Sequence, residues 1–360
     1  MRIGILTYYG VHNHGAVLQA YGLMSVLQKL GHQVQFLSFE RSYEYISSDQ
    51  TKKYKIGLSS IPFYAKYLLQ KGPGNILFNI QKRNVLADFR KKYFDLSESY
   101  KNFNGDFVII GSDEVFSIQI GYNPFMYGYE LKPQNIISYA GSFGPTTLDE
   151  IDQKRKTEEI KDGFINNFKA ISVRDLNSQN IIQVLCDKEA KLVCDPVILY
   201  GYHNEMNQFV PKEKEYLVVY AYDNRMNDPV EVQYIKEYAK KHHLKIYSVG
   251  FYHNWCDKCI PAGPIELLGW IKHAKLVVTD TFHGSVLSII CNTPMSVKLR
   301  DNSNKLEYLL HEYGLQNRIM KSFTDLEKVA DTPLDFSECN RKLSIKRQDS
   351  LDFLQNALGE

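Results

Sequence analysis

A chain of 360 residues with 44% hydrophobic, 13% aromatic and 23% charged residues lies outside the range of disordered, collagen-like or coiled-coil proteins, and its length suits two domains. Lysine and arginine number 43 against 41 acids, a net +2 that gives no global reason to expect a nucleic-acid partner. Six cysteines, at 186, 194, 256, 259, 291 and 339, are too scattered for the disulfide framework of a small secreted domain, which predicts reduced thiols. The longest run without formal charge, 3–28, is interrupted by His12-Asn13-His14 and several glycines, so it reads as strand, loop and helix rather than a membrane span or a signal peptide. The expected location is cytoplasmic.

In chain order, Ile3 to Thr7 is a short apolar strand, and Val17, Tyr21, Met24 and Leu27 recur at helical spacing over Ala16 to Leu30. Gly31 stops that helix, and Val34 to Phe39 supplies a second strand, so residues 1–39 form a βαβ unit of a parallel sheet. Buried-strand patterns follow at 107–110, 136–140, 170–173, 192–194, 216–220, 244–249 and 276–279. Leu199 to Glu215, with Gly, Pro, Asn and a Lys-Glu-Lys-Glu run, has boundary composition. The expected division is therefore 1–200 and 201–360, each Rossmann-like, the last helix packing back on the first domain. The expected fold is α/β, with two such domains facing across a cleft at the carboxyl ends of their sheets, where open α/β folds bind ligands.

An insertion near 45–100 departs from the average. Between Thr51 and Lys92 stand ten basic residues and the single acid Asp88, a local +9 that leaves −7 for the rest of the chain. Tyr54, Phe63, Tyr64, Tyr67, Phe78 and Phe89 are interleaved, a pattern that suits either docking on an anionic membrane face or a helical insertion whose aromatics are core.

The strongest chemical constellation is Val277 to Ile290, a strand entering a polar turn and an apolar helix with His283 at the turn. A helix start presents N–H groups and partial positive charge to a phosphate or carboxylate, and an imidazole beside it exchanges protons near neutral pH. The bland reading is a capping turn with Asp280 or Thr281 as cap. Arg174 ends a buried-strand pattern, where its planar fork suits a bidentate anion; as a surface pair with Asp175 it would contribute little. Asn13, His14 and Gly15 open the first helix without the three-glycine dinucleotide fingerprint, which disfavours a nicotinamide cofactor. Ser112 and Asp113, and Ser142 and Phe143, lie at two further strand ends. Cys256 and Cys259 with His253 make half a zinc pattern, read as structural; no metal ligand set is expected.

These segments, in order, resemble the polysaccharide pyruvyl transferase family over nearly the whole chain: Gly4-Ile-Leu-Thr…Asn13 to Tyr21, Ile110 to Phe116, Tyr139 to Gly144, Ile171 to Asp175, Cys194-Asp-Pro196 and Val278 to Gly284. The resemblance implies a fold similar to the GT-B glycosyltransferases and transfer of the pyruvyl group of phosphoenolpyruvate to a sugar as a ketal, with no cofactor. It implies Arg174 with Thr281, Phe282, Gly284 and Ser285 at the donor, and His283 as proton donor or as base. Asn13, His14, Gly15, Ser112, Asp113, Ser142 and Phe143 then face the acceptor or the cleft. The acceptor is expected to be lipid-linked or nucleotide-linked, with peripheral contact to the cytoplasmic membrane face. The chain departs from the family's pattern at Glu114-Val-Phe116, where Gln-Val-Trp is usual, and at Ser303-Asn-Lys305, where an Asn-Ser-Arg-like segment is usual. The alternatives are a sugar-nucleotide glycosyltransferase and a non-catalytic carbohydrate-binding relative.

Overall fold

The computed structural model describes residues 1–42, 44, 61–133, 135–300 and 304–360, with the backbone alone for 61–71. Two six-stranded parallel sheets organise it. The first contains β1 (Arg2–Leu6), β2 (Gln33–Ser38), β3 (Glu98–Ser99), β4 (Phe107–Ile110), β5 (Ile136–Ser138) and β6 (Phe168–Ala170), in the order β3-β2-β1-β4-β5-β6. A separate parallel pair, β7 (Ser172–Val173) and β8 (Lys191–Leu192), follows. The second sheet has β9 (Tyr216–Tyr220), β10 (Lys245–Val249), β11 (Lys258–Ile260), β12 (Leu276–Thr279), β13 (Met295–Lys298) and β14 (Ile319–Met320), in the order β11-β10-β9-β12-β13-β14. Both are the 3-2-1-4-5-6 order of a doubly wound domain, with the direction of winding reversed between β1 and β4 and between β9 and β12. The protein is thus α/β with parallel sheets in two domains.

The helices are α1 (His14–Lys29), α2 (Ile61–Tyr93), α3 (Leu148–Gln153), α4 (Thr157–Asp162), α5 (Leu176–Cys186), α6 (Pro196–Tyr200), α7 (Pro229–Lys241), α8 (Pro264–Lys272), α9 (Phe282–Cys291), α10 (Asn304–Glu312), α11 (Leu326–Asp331) and α12 (Ser337–Leu358). The central strands β1, β4, β9 and β12 are buried almost throughout, which is why they read as continuous apolar runs without alternation. Helices α1 and α9 are buried nearly all round, as a helix held between two layers must be. One apolar cluster runs from Ile5 and Leu23 to Val218 and Leu287.

Two differences from the sequence pattern have local causes. The run 170–173 splits because Ser138 and Ser172 exchange side-chain bonds with each other's carbonyls at 2.8 and 2.9 Å, so β6 completes the large sheet while β7 turns to β8. The run 136–140 ends early because Ala140 takes φ +52. Helix α12 returns to α6 and the chain just before it: Ser350 Oγ accepts the Cys194 N–H at 2.9 Å and Arg347 Nε donates to Ile198 O at 2.6 Å.

Helix α2 is broken at Gly72 (φ +73), ahead of Pro73. Beyond that break Asn75, Phe78, Lys82, Leu86 and Phe89 form its buried face, so two of the interleaved aromatics belong to the core: Phe78 meets Tyr252, and Phe89 meets Tyr21. Tyr54, Lys52, Lys53 and Lys55 lie outside the described residues, as do the side chains of Phe63, Tyr64 and Tyr67. Among the described residues no helix is long and apolar enough to cross a membrane.

Helix α1 lies directly on the start of α6. A methyl group on Gly22 would stand 2.7 Å from the Pro196 carbonyl oxygen, a backbone atom. Gly22→Ala should gain about 0.8–1 kcal/mol in helix propensity and lose about 1–3 kcal/mol to overpacking, a net destabilisation. Urea unfolding checks it: the midpoint should fall, and a higher midpoint would show that α6 yields freely.

Candidate active site at the carboxyl edges of both sheets

The turn between β12 and α9 is built by threonines. Thr281 caps α9, its Oγ1 accepting the Gly284 N–H at 3.0 Å, and its own N–H donates to Thr279 Oγ1 at 3.1 Å. Asp280 is not the cap; it is buried and turned away to Arg300 Nε at 2.9 Å. Among the described residues the amides of Phe282 and His283 find no protein acceptor, and Ser285 Oγ is buried without a partner. The helix start therefore offers two free N–H groups and a hydroxyl to a ligand.

His283 lies against the start of α1. A methyl group on Gly15 would be 2.2 Å from His283 Cγ, so only glycine lets the imidazole rest there. Asn13 caps α1 by accepting the Gly15 N–H at 2.9 Å, and His14 Nε2 donates across the cleft to Ala262 O at 2.7 Å. Burial, reinforced by Lys82, pushes the His14 imidazole down to about 3, so it acts as a neutral strut between the domains. His283 Nε2 is buried and unpartnered. Burial lowers its proton affinity, Asp195 opposes that, and Arg174 adds to the fall.

Arg174 follows β7 and reaches the same place, 7% exposed. Its Nη1 donates to Asp195 Oδ2 and its Nη2 to Asp113 Oδ1, each at 3.1 Å, while Nε has no partner. Burial alone would weaken its hold on the proton; Asp113 and Asp195 overcome this and raise its pKa above the usual arginine value. Its guanidinium carbon stands 5.3 Å from the Phe282 ring centroid. The surface pair with Asp175 does not form: Asp175 instead caps α5, accepting the Ser178 N–H at 2.8 Å.

The structure thus brings Arg174, Asp113, Gly15, Phe282 and His283 together, and Ser112, its Oγ buried and unpartnered, adjoins Asp113. Ser142 and Phe143 stand behind them. Ser142 Oγ donates to Asp175 at 2.6 Å and its N–H holds the Asp113 carbonyl at 3.0 Å, while the Phe143 ring is wholly enclosed in the aromatic core. Neither side chain faces the cleft.

Four neighbours were not assigned to the site from sequence, although Asp195, Glu114 and Lys305 stand in segments quoted for the resemblance or its departures. Asp195 caps α6 by accepting the Val197 N–H at 2.9 Å while also holding Gln19 and Arg174. Lys305 Nζ pairs with Glu114 Oε1 at 2.6 Å, joining α10 to the segment after β4. Tyr222, past the end of β9, is 38% exposed and meets Phe251 edge-on. The signal for Asp195 was available, since Asp-Pro before a short apolar run is a cap followed by proline at the first helical position.

Elsewhere, His253 has both ring nitrogens engaged, with Ser248 Oγ at 2.9 Å and Arg225 O at 3.0 Å, and burial pushes up the thiols of Cys256 and Cys259. Among the described residues no group of three or more His, Cys, Asp or Glu side chains is placed to hold a metal ion.

Two doubly wound domains with a polar cleft at their switch points define the GT-B-like class of two-domain α/β folds. Within that class the chain belongs to the polysaccharide pyruvyl transferase family, whose model matches residues 13–298. That family is one of transferases in polysaccharide biosynthesis. No match is found among curated proteins. Solved structures of similar fold include a putative UDP-N-acetylglucosamine 2-epimerase from Listeria monocytogenes (TM-score 0.52, 10% identity, 98% of this chain and 95% of that one). Two others are S. aureus MnaA with UDP (0.51, 8%, 99% and 96%) and the Methanocaldococcus jannaschii UDP-GlcNAc 2-epimerase with UDP-GlcNAc and UDP (0.50, 14%, 96% and 99%). At these identities the likeness concerns the fold.

Proposed function

We propose that this protein transfers the pyruvyl group of phosphoenolpyruvate to a sugar of a surface-polysaccharide precursor, forming a cyclic ketal. The observation that carries the reading is the convergence of Arg174, two free amides of α9 and His283 on one point, with buried polar atoms left unpartnered there. Phosphoenolpyruvate places a carboxylate and a phosphate on one small frame. Arg174 and the α9 turn, from opposite domains, suit two such anionic groups. Exposed Tyr222 offers an aromatic surface for the acceptor sugar.

In this reading His283 is neutral in the empty site, and the anionic donor raises its proton affinity. The imidazolium protonates the methylene carbon, and a sugar hydroxyl attacks the adjacent carbon. Phosphate leaves, and a second hydroxyl closes the ring. Of the two hydroxyl protons released, one restores the imidazolium and the other leaves with phosphate. No step calls on a metal or cofactor. The location is the cytoplasm, and the outward basic residues of 51–92, Lys91 and Lys92 among them, give peripheral contact with an anionic membrane face. Co-sedimentation with anionic liposomes should be lost at high salt; equal recovery with neutral vesicles would remove this part of the reading.

Two further outcomes follow for the donor site. Arg174→Lys, titrated with phosphoenolpyruvate in the presence of a chelator, should weaken binding by roughly one to two decades, because an ammonium cannot reproduce the guanidinium fork. Unchanged affinity, or wild-type binding abolished by the chelator, would sink the assignment. Secondly, His283 has a depressed pKa when free and a raised one with donor bound, so between those values binding takes up a proton and tightens as pH falls. Calorimetry near pH 7.5 in buffers of different ionisation heat should show uptake in the wild type and none in His283→Gln. Equal uptake in both would place the proton elsewhere.

A further inference from the structure

Asp280 stands immediately before the cap of α9, between two threonines that meet across the turn: Thr279 Oγ1 lies 3.0 Å from Thr281 Oγ1 and accepts the Thr281 N–H. An aspartate in such a position ordinarily accepts from the amides two and three residues further on, as in an Asx turn or a helix cap. For Asp280 those are the amides of Phe282 and His283, the two that find no protein acceptor among the described residues. Thr281 does not compete for them, because its hydroxyl takes the Gly284 amide. The chain thus carries, next to the open helix start, the carboxylate best placed to close it.

That carboxylate is held elsewhere. Its side chain is fully buried, and Oδ2 accepts from Arg300 Nε at 2.9 Å. Arg300, just past β13, is oriented in turn by Glu231 in the first turn of α7, with Nη1 to Oε1 at 2.5 Å and Nη2 to Oε2 at 2.9 Å. Arg225 Nη1 donates to the Asp280 carbonyl at 3.4 Å and stands 3.9 Å from Oδ1, too far for a hydrogen bond. Oδ1 is therefore buried without a hydrogen bond among the described residues. Burial pushes the Asp280 pKa up, and Arg300 and Arg225 oppose the rise. A buried carboxylate oxygen left short of a donor is costly, and here two free donors belong to the next three residues of its own chain. The arrangement forgoes a satisfied cap and gains an open helix start.

We propose that Arg300 is a positioning residue of the anion site: by holding Asp280 away from the turn, it keeps the chain's own carboxylate off the Phe282 and His283 amides and leaves them to the ligand. The name of that ligand rests on the pyruvyl-transfer reading, whereas the displacement of Asp280 does not. Released from Arg300, Asp280 would act as an internal anion that occupies the same N–H groups and repels a phosphate or carboxylate arriving there.

Calorimetric titration of the full chain with phosphoenolpyruvate and, separately, with inorganic phosphate tests this. Arg300→Gln should weaken both by about tenfold or more, the strength of one aspartate cap read as a binding ratio. Asp280→Ala should bind both within about threefold of the wild type, and D280A/R300Q should regain that affinity, because the competing carboxylate is gone. Circular dichroism and melting check the fold of each variant. A double variant as weak as Arg300→Gln would mean that Arg300 only braces the domain, and would overturn the proposal. So would unchanged binding in Arg300→Gln, or a loss of about tenfold in Asp280→Ala, which is readable whether or not Arg300→Gln folds. If inorganic phosphate follows the expected pattern while phosphoenolpyruvate does not bind, the positioning role stands and the donor reading falls. If phosphoenolpyruvate binding depends on Arg174 and is indifferent to Arg300, the donor reading stands and the positioning role falls. No binding of either anion by the wild type would remove both.

Discussion

The buried Arg174 guanidinium imposes the constraint on which the cleft depends. Removing a cation from water costs several kcal/mol even after relaxation, and the cost is met only where counter-charges are held rigidly at contact distance. Asp113 and Asp195 supply them from separate stretches of chain, one following β4 and the other capping α6. Both are fixed in turn: the Ser142 N–H holds the Asp113 carbonyl, and Gln19 Nε2 of α1 donates to the Asp195 carboxylate. With Nε left free, the guanidinium is oriented by protein and still has a donor for a ligand. Such pre-orientation lets a site bind an anion without reorganising as it does so.

The second domain meets this arrangement through few but close contacts. His14 donates to Ala262, the His283 imidazole rests on Gly15, and the Phe282 ring stands over Arg174. Each comes from a loop or helix start just past the end of β1 or β12. The reversal of strand order in both sheets is therefore the reason that residues far apart in sequence share one cleft.

Much of this was legible without coordinates, for reasons specific to each element. Fully buried parallel strands read as uninterrupted apolar runs, so the central strands at 3–6, 107–110, 216–220 and 276–279 were clear. Edge strands β3, β11 and β14 have two or three residues each and leave no such trace. The arginine and histidine of the cleft were visible because each follows a buried strand. Asp195, Glu114 and Lys305 were not, because their roles depend on which distant side chain each meets. Ser142 and Phe143 carried the opposite error: small and aromatic residues at a strand end suggest a wall, and packing places them behind it. Lys82 was counted as part of a charged insertion because composition does not record which face of a helix a residue occupies.

The departures from the family's pattern at residues 114 and 305 become one feature once their positions are known. Glu114 and Lys305 are bonded to each other at 2.6 Å across the cleft, while Ser303 lies outside the described residues. Both side chains retain contact with solvent, so the pair contributes little to stability, on the order of 1 kcal/mol or less. Its effect is on charge. A glutamate in place of glutamine neutralises the cation at 305, 5.9 Å from the Phe282 ring, and removes it from the pool available to a ligand. What remains for a ligand at this point is the free Nε of Arg174, a donor on a guanidinium whose charge Asp113 and Asp195 already balance, so an anion there is held by hydrogen bonds from Arg174 and the start of α9 rather than by a surplus of positive charge.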